Sequence, residues 1–445
     1  MSSTIVFSGL IIAVVCFLAT AAFGEVRSAR GIFITFLLAG SILPFSLDYL
    51  TGIQNPTLVY PLVSPDGIKA AFLCVLALSI VVYVSLFVEK RGIAAAKVKV
   101  YGANPSVAGI FSALSIFFSV TYIGAMAIRL GGLTEMVVRL YQRVSLNDSV
   151  ANTLTALYFA SAAFAIFAFT FSRDCGSGKI RRFAIAAVAI CVAQTLLLGG
   201  RSLVVLLGIG LFYVALVNMK LKRFVIAGII AMSMIATVSY VMTNLRFEAQ
   251  NARVLTERAD ESFISRATTG LTFMDHFAAS IHYVQLRGHD YGQLYVNALL
   301  LPIPRDLWPG KPLQISVRFR DFLFGDTLGG APPGLLGEGY IAFGTIGVIL
   351  ASIVMGWMIG RIDVTTVIAS RSRCRMREAA AGILAPQVAY AIVRGGFDIG
   401  VLRVGIPAFW CLVCWQLAAY LIKRQPRITF SDGSSILQHV RSIVS

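Results

Sequence analysis

Residues 244–333 carry a run of cations in polar sequence: Arg246, Arg253, Arg266, Arg305, Lys311, Arg318 and Arg320. A guanidinium is planar, stays protonated at any working pH and grips phosphate through two parallel N–H donors, whereas an ammonium offers only a point charge. The chemistry these residues suit is recognition of a phosphate or diphosphate. Three more arginines stand beside apolar sequence: Arg201 after Gly199-Gly200, and Arg394 and Arg403 in VRGGFDIGVLR, where Asp398 is spaced for an i,i+4 pair with Arg394. Charge next to hydrocarbon is costly and usually has a use, although arginines at helix ends also reach for lipid headgroups. Arg253 and Glu257 are likewise spaced as a helical ion pair.

Acid–base groups lie in the same region. The stretch TGLTFMDHFAASIHYVQL, read as an amphipathic helix at a membrane interface, bears Asp275, His276 and His282, and Glu338 follows Gly337 where an apolar run begins. Burial of Glu338 there would raise its pKa toward neutrality, while a carboxylate at a helix start is also a routine dipole partner. Glu338, His276 and Asp275 all stand as candidate catalytic bases. His276 and His282 are six apart, off a shared helical face, and no HExxH or paired-aspartate cluster occurs. Metal-independent chemistry with no cofactor is expected. Pro302, Pro304, Pro309 and Pro312 forbid continuous helix and would hold Arg305 and Lys311 on rigid backbone. Trp308 suits an interfacial anchor or a ring that stacks on a sugar. Gly329, in a Gly- and Pro-rich turn, would let backbone amides approach an anion.

The elements that must position these groups are apolar. The chain is 57% hydrophobic and 13% charged, with a mean hydropathy of +0.80, against about 25% charged residues in soluble domains. Runs long enough to cross about 30 Å of hydrocarbon fall at 5–23, 31–47, 68–88, 107–129, 151–171, 183–199, 202–218, 223–243, 335–358, 379–394 and 404–422. An all-α polytopic membrane protein with about eleven transmembrane helices is expected, with Gly199-Gly200 as a tight turn between two of them. Its parts are a helix bundle of about eight spans over 1–243, an Arg-rich extracytoplasmic loop containing amphipathic helices over 244–333, about three spans over 334–423, and a tail over 424–445.

Orientation follows from the basic residues. With the N-terminus outside, the inner connections 25–30, 89–104, 173–182, 220–223, 361–377 and the tail from 423 hold 2, 4, 4, 3, 5 and 4 Lys or Arg, which is 22 of the chain's 38. Every crossing then obeys the positive-inside rule. The net charge of +17 is thus a topology signal, and no nucleic-acid motif accompanies it. The first span has no preceding Lys or Arg, the reverse of a signal peptide's charge order, so its retention is expected. No cysteine falls in an outer loop, and Cys411-x-x-Cys414 inside an apolar helix reads as two small buried hydrophobes.

LGGRSL around Arg201, PIPRDLWPGKP, Arg318 followed eleven positions later by Gly329, and PPGLLGEGYIAFGTIG together resemble the O-antigen polymerase (Wzy-type) or oligosaccharide repeat-unit polymerase family. The resemblance spans the architecture, with its motifs concentrated in about a hundred residues. It implies joining of polyprenyl-diphosphate-linked repeat units on the outer face of the bacterial cytoplasmic (inner) membrane. A lipid-linked donor and acceptor, a chain-length regulator and a flippase would be the partners. The family's R-x10-G pattern falls on Arg318 and Gly329, and its arginine near a membrane-helix end on Arg201. Arg201 here sits in a connection of a few residues, where such polymerases often have a second sizeable outer loop. An O-antigen ligase would use the same donor with another acceptor. A lipid-linked oligosaccharide flippase or transporter would instead need charge at the midplane and paired interrupted helices.

Overall fold

The computed structural model of the chain describes residues 30–31, 61, 64–94, 102, 104–141, 149–197, 201–216, 237, 274–300, 308, 310–327, 330–372, 374–391 and 396–424. Twelve helices lie in these segments, and no strand occurs among the described residues: α1 (Pro65–Ala94), α2 (Pro105–Leu130), α3 (Leu133–Tyr141), α4 (Ser149–Ser172), α5 (Gly178–Leu197), α6 (Arg201–Leu216), α7 (Met274–Arg287), α8 (Gln293–Leu299), α9 (Ile315–Phe324), α10 (Gly334–Ser372), α11 (Arg375–Tyr390) and α12 (Gly396–Arg424). Five helices among the described residues are long and apolar enough to cross a membrane, at Pro65–Ala94, Pro105–Leu130, Gly178–Leu197, Gly334–Ala369 and Val404–Lys423. The expected span 5–23, nearly all of 31–47 and 223–243, and the turn at Gly199-Gly200 lie outside the described residues.

Local chemistry sets the helix ends. The Ser64 hydroxyl accepts from Gly67 N at 3.1 Å ahead of Pro65, and the Asn104 side chain accepts from Val107 N at 3.1 Å ahead of Pro105. Each supplies a partner for an N–H the first turn leaves open, with proline where no N–H is needed. Helix α2 stops at Gly131, whose φ of 88° lies in the left-handed region open to glycine.

Helices α1 and α10 run parallel and pack through glycines. Side chains at Gly356 or Gly360 would strike Val84, Val88 or the backbone of Val81 and Ser85, so this small-xxx-small pair sets how closely the two helices approach. Residues 70–88 and 341–360 contain no charged side chain, and both helices meet charge at both ends of that layer. Lys69 and Glu89, twenty positions apart, lie about 30 Å apart along the helix at 1.5 Å per residue. That matches the hydrocarbon thickness of a bilayer.

The expected span 335–358 is not one helix. Phe343 (φ −141°, ψ 21°) and Gly344 (φ 61°, ψ −141°) interrupt α10, and beyond them the helix continues to Ser372. Eight positions apart on an unbroken helix, Gly339 and Gly347 would be separated by about 12 Å; here their backbones touch. The break therefore turns 334–342 against the start of the long helix, because neither position has a side chain to keep them apart. The expected span 379–394 falls on α11, and its residues 392–394 lie outside the described residues. Helix α11 starts at Arg375, is 16 residues long and is buried from Arg375 to Ala389 almost throughout, a central pillar shared by the two main apolar clusters.

At the Glu89 end, ion pairs gather. Arg30, fully buried, pairs with Glu89 and with Asp363 (3.3 Å to Oδ2). Arg173 pairs with Glu378 at 2.6 Å, and Arg375 pairs with both Glu378 and Asp174. Between the two groups the Tyr213 hydroxyl meets that of Thr366 at 2.5 Å.

Candidate functional site

At the Lys69 end, three short helices from the polar segment cap the spans. Of the amphipathic helix expected over 269–286, residues from 274 on form α7, with one side seated in the core. Met274, Phe277, Ala278 and Ile281 are buried against Leu73 and Ala77 of α1 and Leu336 and Tyr340 of α10. Two turns of small and apolar residues on successive positions give it more than one buried face. Helix α9 packs on α7 through Phe319 and Phe322, which meet Tyr283 with ring centroids at 5.9 and 5.1 Å. Ser316 O accepts from Ala331 N at 2.9 Å, which brings the Gly- and Pro-rich turn back along α9.

Arg318 and Arg320, two positions apart on α9, have different surroundings. Arg320 is closed: its Nε and Nη2 donate to the two oxygens of Asp326 at 2.5 and 3.0 Å, and its guanidinium lies 5.2 Å over the Phe324 ring. Its Nε–Nη2 edge is thus occupied by the chain's own carboxylate. Arg318 is open: Nη2 donates to Asp290 Oδ2 at 3.0 Å, and Nε has no hydrogen-bond partner among the described residues. Nε is itself buried, so what remains for an anion is the exposed 32% of the side chain.

Asp290 is the residue sequence reasoning missed. Its Oδ1 accepts from Leu294 N at 2.7 Å at the start of α8, and its own N–H donates to Ile341 O at 3.0 Å. Tyr291 N donates to Ala342 O at 3.1 Å. These donors supply partners for buried carbonyls that the break in α10 would otherwise leave open. The loop 288–292 achieves this with three positive φ angles, at Gly288 (78°), Tyr291 (52°) and Gly292 (85°). The motif GHDYG, a charge between two glycines, was the available signal.

The three candidate bases occupy three settings. Glu338 is fully buried and its Oε2 accepts from Phe397 N at 2.5 Å, at the N-terminus of α12, where a negative charge meets the helix dipole. Gly396 beside it has φ 72°, and a side chain there would collide with the Glu338 carboxylate. Asp275 is 1% exposed. His276 is half-buried, its ring 6.2 Å from that of Phe319, and its Nδ1 lies 3.0 Å from Pro332 O. A carbonyl only accepts, so Nδ1 carries the proton, and Nε2 is the ring atom left to take up another.

Helix α8 links the Arg318 and Glu338 settings. Tyr295 packs edge-on against Phe397 at 5.3 Å, and burial, then the Glu338 carboxylate, push its phenol pKa up, so it stays protonated. Tyr295, Phe397 and Gly396 border a cavity of about 430 Å³ whose other walls include Phe343, Leu350 and Met358, almost all apolar. That size is within the range of about 300–1,000 Å³ usual for small-molecule sites.

Lys311 is nearly buried and its N–H donates to Trp308 O at 3.0 Å, while the Trp308 side chain is half-exposed. Among the described residues no three His, Cys, Asp or Glu side chains converge. The side chains of Arg201, first residue of α6, and of Arg403 in α12 lie outside the described residues, as do Arg246, Arg253, Arg266, Arg305, Gly329 and Arg394. Comparison with known families, with curated proteins and with solved structures finds no match for this chain.

Proposed function

We propose that this protein is a membrane-embedded glycosyltransferase that joins polyprenyl-diphosphate-linked oligosaccharide repeat units on the outer face of a bacterial cytoplasmic membrane. In this reading it has about eleven spans, an extracytoplasmic N-terminus and a cytoplasmic C-terminus. The observation that carries the proposal is Arg318, a half-satisfied guanidinium held at the edge of a charge-free layer one bilayer thick, in a cap that also walls an apolar cavity. A lipid diphosphate needs both a cation at the headgroup level and apolar space below it.

The acceptor hydroxyl attacks the donor's anomeric carbon. A glycosidic C–O bond forms as the bond to the diphosphate oxygen breaks, the hydroxyl proton passes to Nε2 of His276, and the charge left on the diphosphate meets Arg318. Arg318 and Phe319 are successive on α9, and Phe319 is the ring against His276, so one helix supports both groups. Glu338, bound to the α12 amide, serves the fold in this scheme.

The interrupted α10 also favours a transporter reading, since such proteins use broken helices. Against it, the described spans α1 and α10 keep charge to their two ends. Deletion of the gene followed by gel analysis of surface glycans tests the proposal. Single-repeat glycolipid without a ladder is expected; absence of any attached repeat indicates a ligase, and an unchanged ladder refutes both.

A further inference from the structure

We propose that Asp290 is a positioning residue, resting on the glycosyl-transfer reading above: it ties the Arg318 guanidinium to the break in α10, so that the diphosphate-facing cation keeps a set place over the membrane. Four bonds converge on two residues. One carboxylate oxygen takes Arg318 and the other the amide of Leu294, while the N–H groups of Asp290 and Tyr291 take the carbonyls of Ile341 and Ala342. The chain around the break leaves little slack: a side chain at Gly292 would meet Phe343, and one at Gly344 would meet His289.

The carboxylate does what an amide could not. Each oxygen serves a different donor, one on α8 and one on α9, so both helices are referred to the same backbone clamp. Asparagine has one acceptor oxygen and must release Arg318 or Leu294. Released, Arg318 would keep its charge but lose its direction, which changes turnover more than encounter. A misplacement of about 1 Å costs on the order of 100-fold in rate.

The test uses full-length protein in proteoliposomes with lipid-linked repeat units, comparing wild type with Asp290→Asn and Asp290→Glu, alongside amide hydrogen exchange on the same preparations. Expected for Asp290→Asn is a fall of about 10- to 100-fold in kcat per folded molecule with KM little changed, and faster exchange at Tyr291 and across Phe343–Gly344. Asp290→Glu, with both oxygens on a longer arm, should recover part of kcat. A purely structural residue would lower the folded fraction and leave kcat per folded molecule intact, which would overturn the role. So would exchange at Tyr291 and Phe343–Gly344 that matches wild type. Failure of the wild type itself to polymerise would overturn the glycosyl-transfer reading and this role together, whereas an active wild type with an unaltered Asn variant overturns this role alone.

Discussion

The two charged ends of the bundle, about 30 Å apart along α1, use arginine in opposite ways. At the Glu89 end Arg30 and Arg375 each face two carboxylates, Glu378 serves two arginines, and Arg30, Asp363, Glu378 and Arg375 are all buried. At the Lys69 end Arg318 has a single bond to one carboxylate and is 32% exposed. Desolvated charge held between carboxylates ties helices together and has no exposed edge for a ligand. Charge that is aimed by one partner and left half open can accept one. Arginine at a membrane surface therefore cannot be read by type alone, and the number of its partners decides which use it has.

That contrast can be broken by substitution, and turnover should separate from stability at the two ends. The largest effect is expected at His276. Replacement by Gln keeps a donor near Pro332 but removes the basic Nε2, and should lower polymerisation by about 100- to 10,000-fold, the usual contribution of a general base, with the protein still folded in detergent. Next comes Glu378→Ala at the opposite end, which strips Arg173 and Arg375 of a shared buried partner. A loss of about 3–5 kcal/mol is expected, read as reduced thermal stability of purified protein, with unchanged turnover per folded molecule. A stable Glu378→Ala variant would show that this end is not a structural lock.

Arg318→Ala should follow, with a loss of about 30- to 1,000-fold in ladder formation at matched expression, because it removes a charge-assisted contact to a leaving group. Lysine at the same position should restore little, lacking the fork. Gly396→Ala is expected to cost about 1–3 kcal/mol of stability, since it combines a left-handed backbone with a collision at Glu338. Smallest is Arg320→Ala, where a half-exposed pair with Asp326 contributes about 0.2–1 kcal/mol and polymerisation should stay near wild type. Equal losses at Arg318 and Arg320 would mean that overall positive potential, and no particular site, attracts the substrate.

Hydropathy, read from the chain alone, marks this as an all-helical protein with helices long and apolar enough to cross a membrane. These are short-range properties: apolar run length must match hydrocarbon thickness, and Ser64-Pro65 or Asn104-Pro105 starts a helix through its own side chain and ring. Arg318 stood out as one of several arginines in this segment and as the one followed eleven positions later by Gly329. What the tertiary structure decided is which partners the charges meet. Arg320 shares α9 and the neighbour Phe319 with Arg318, yet Asp326 occupies its fork and Asp290 takes only one corner of the other. Likewise Gly339 and Gly347 look like two ordinary helical glycines until the break at Phe343–Gly344 brings their backbones together. Glu338 looked like the start of a span and instead receives the amide of a helix 59 positions away. The Arg318–Asp290 and Glu338–Phe397 pairings join residues 28 and 59 positions apart, so neither periodicity nor composition carries a trace of them, and only the packed chain selects one among the many that charge alone would permit.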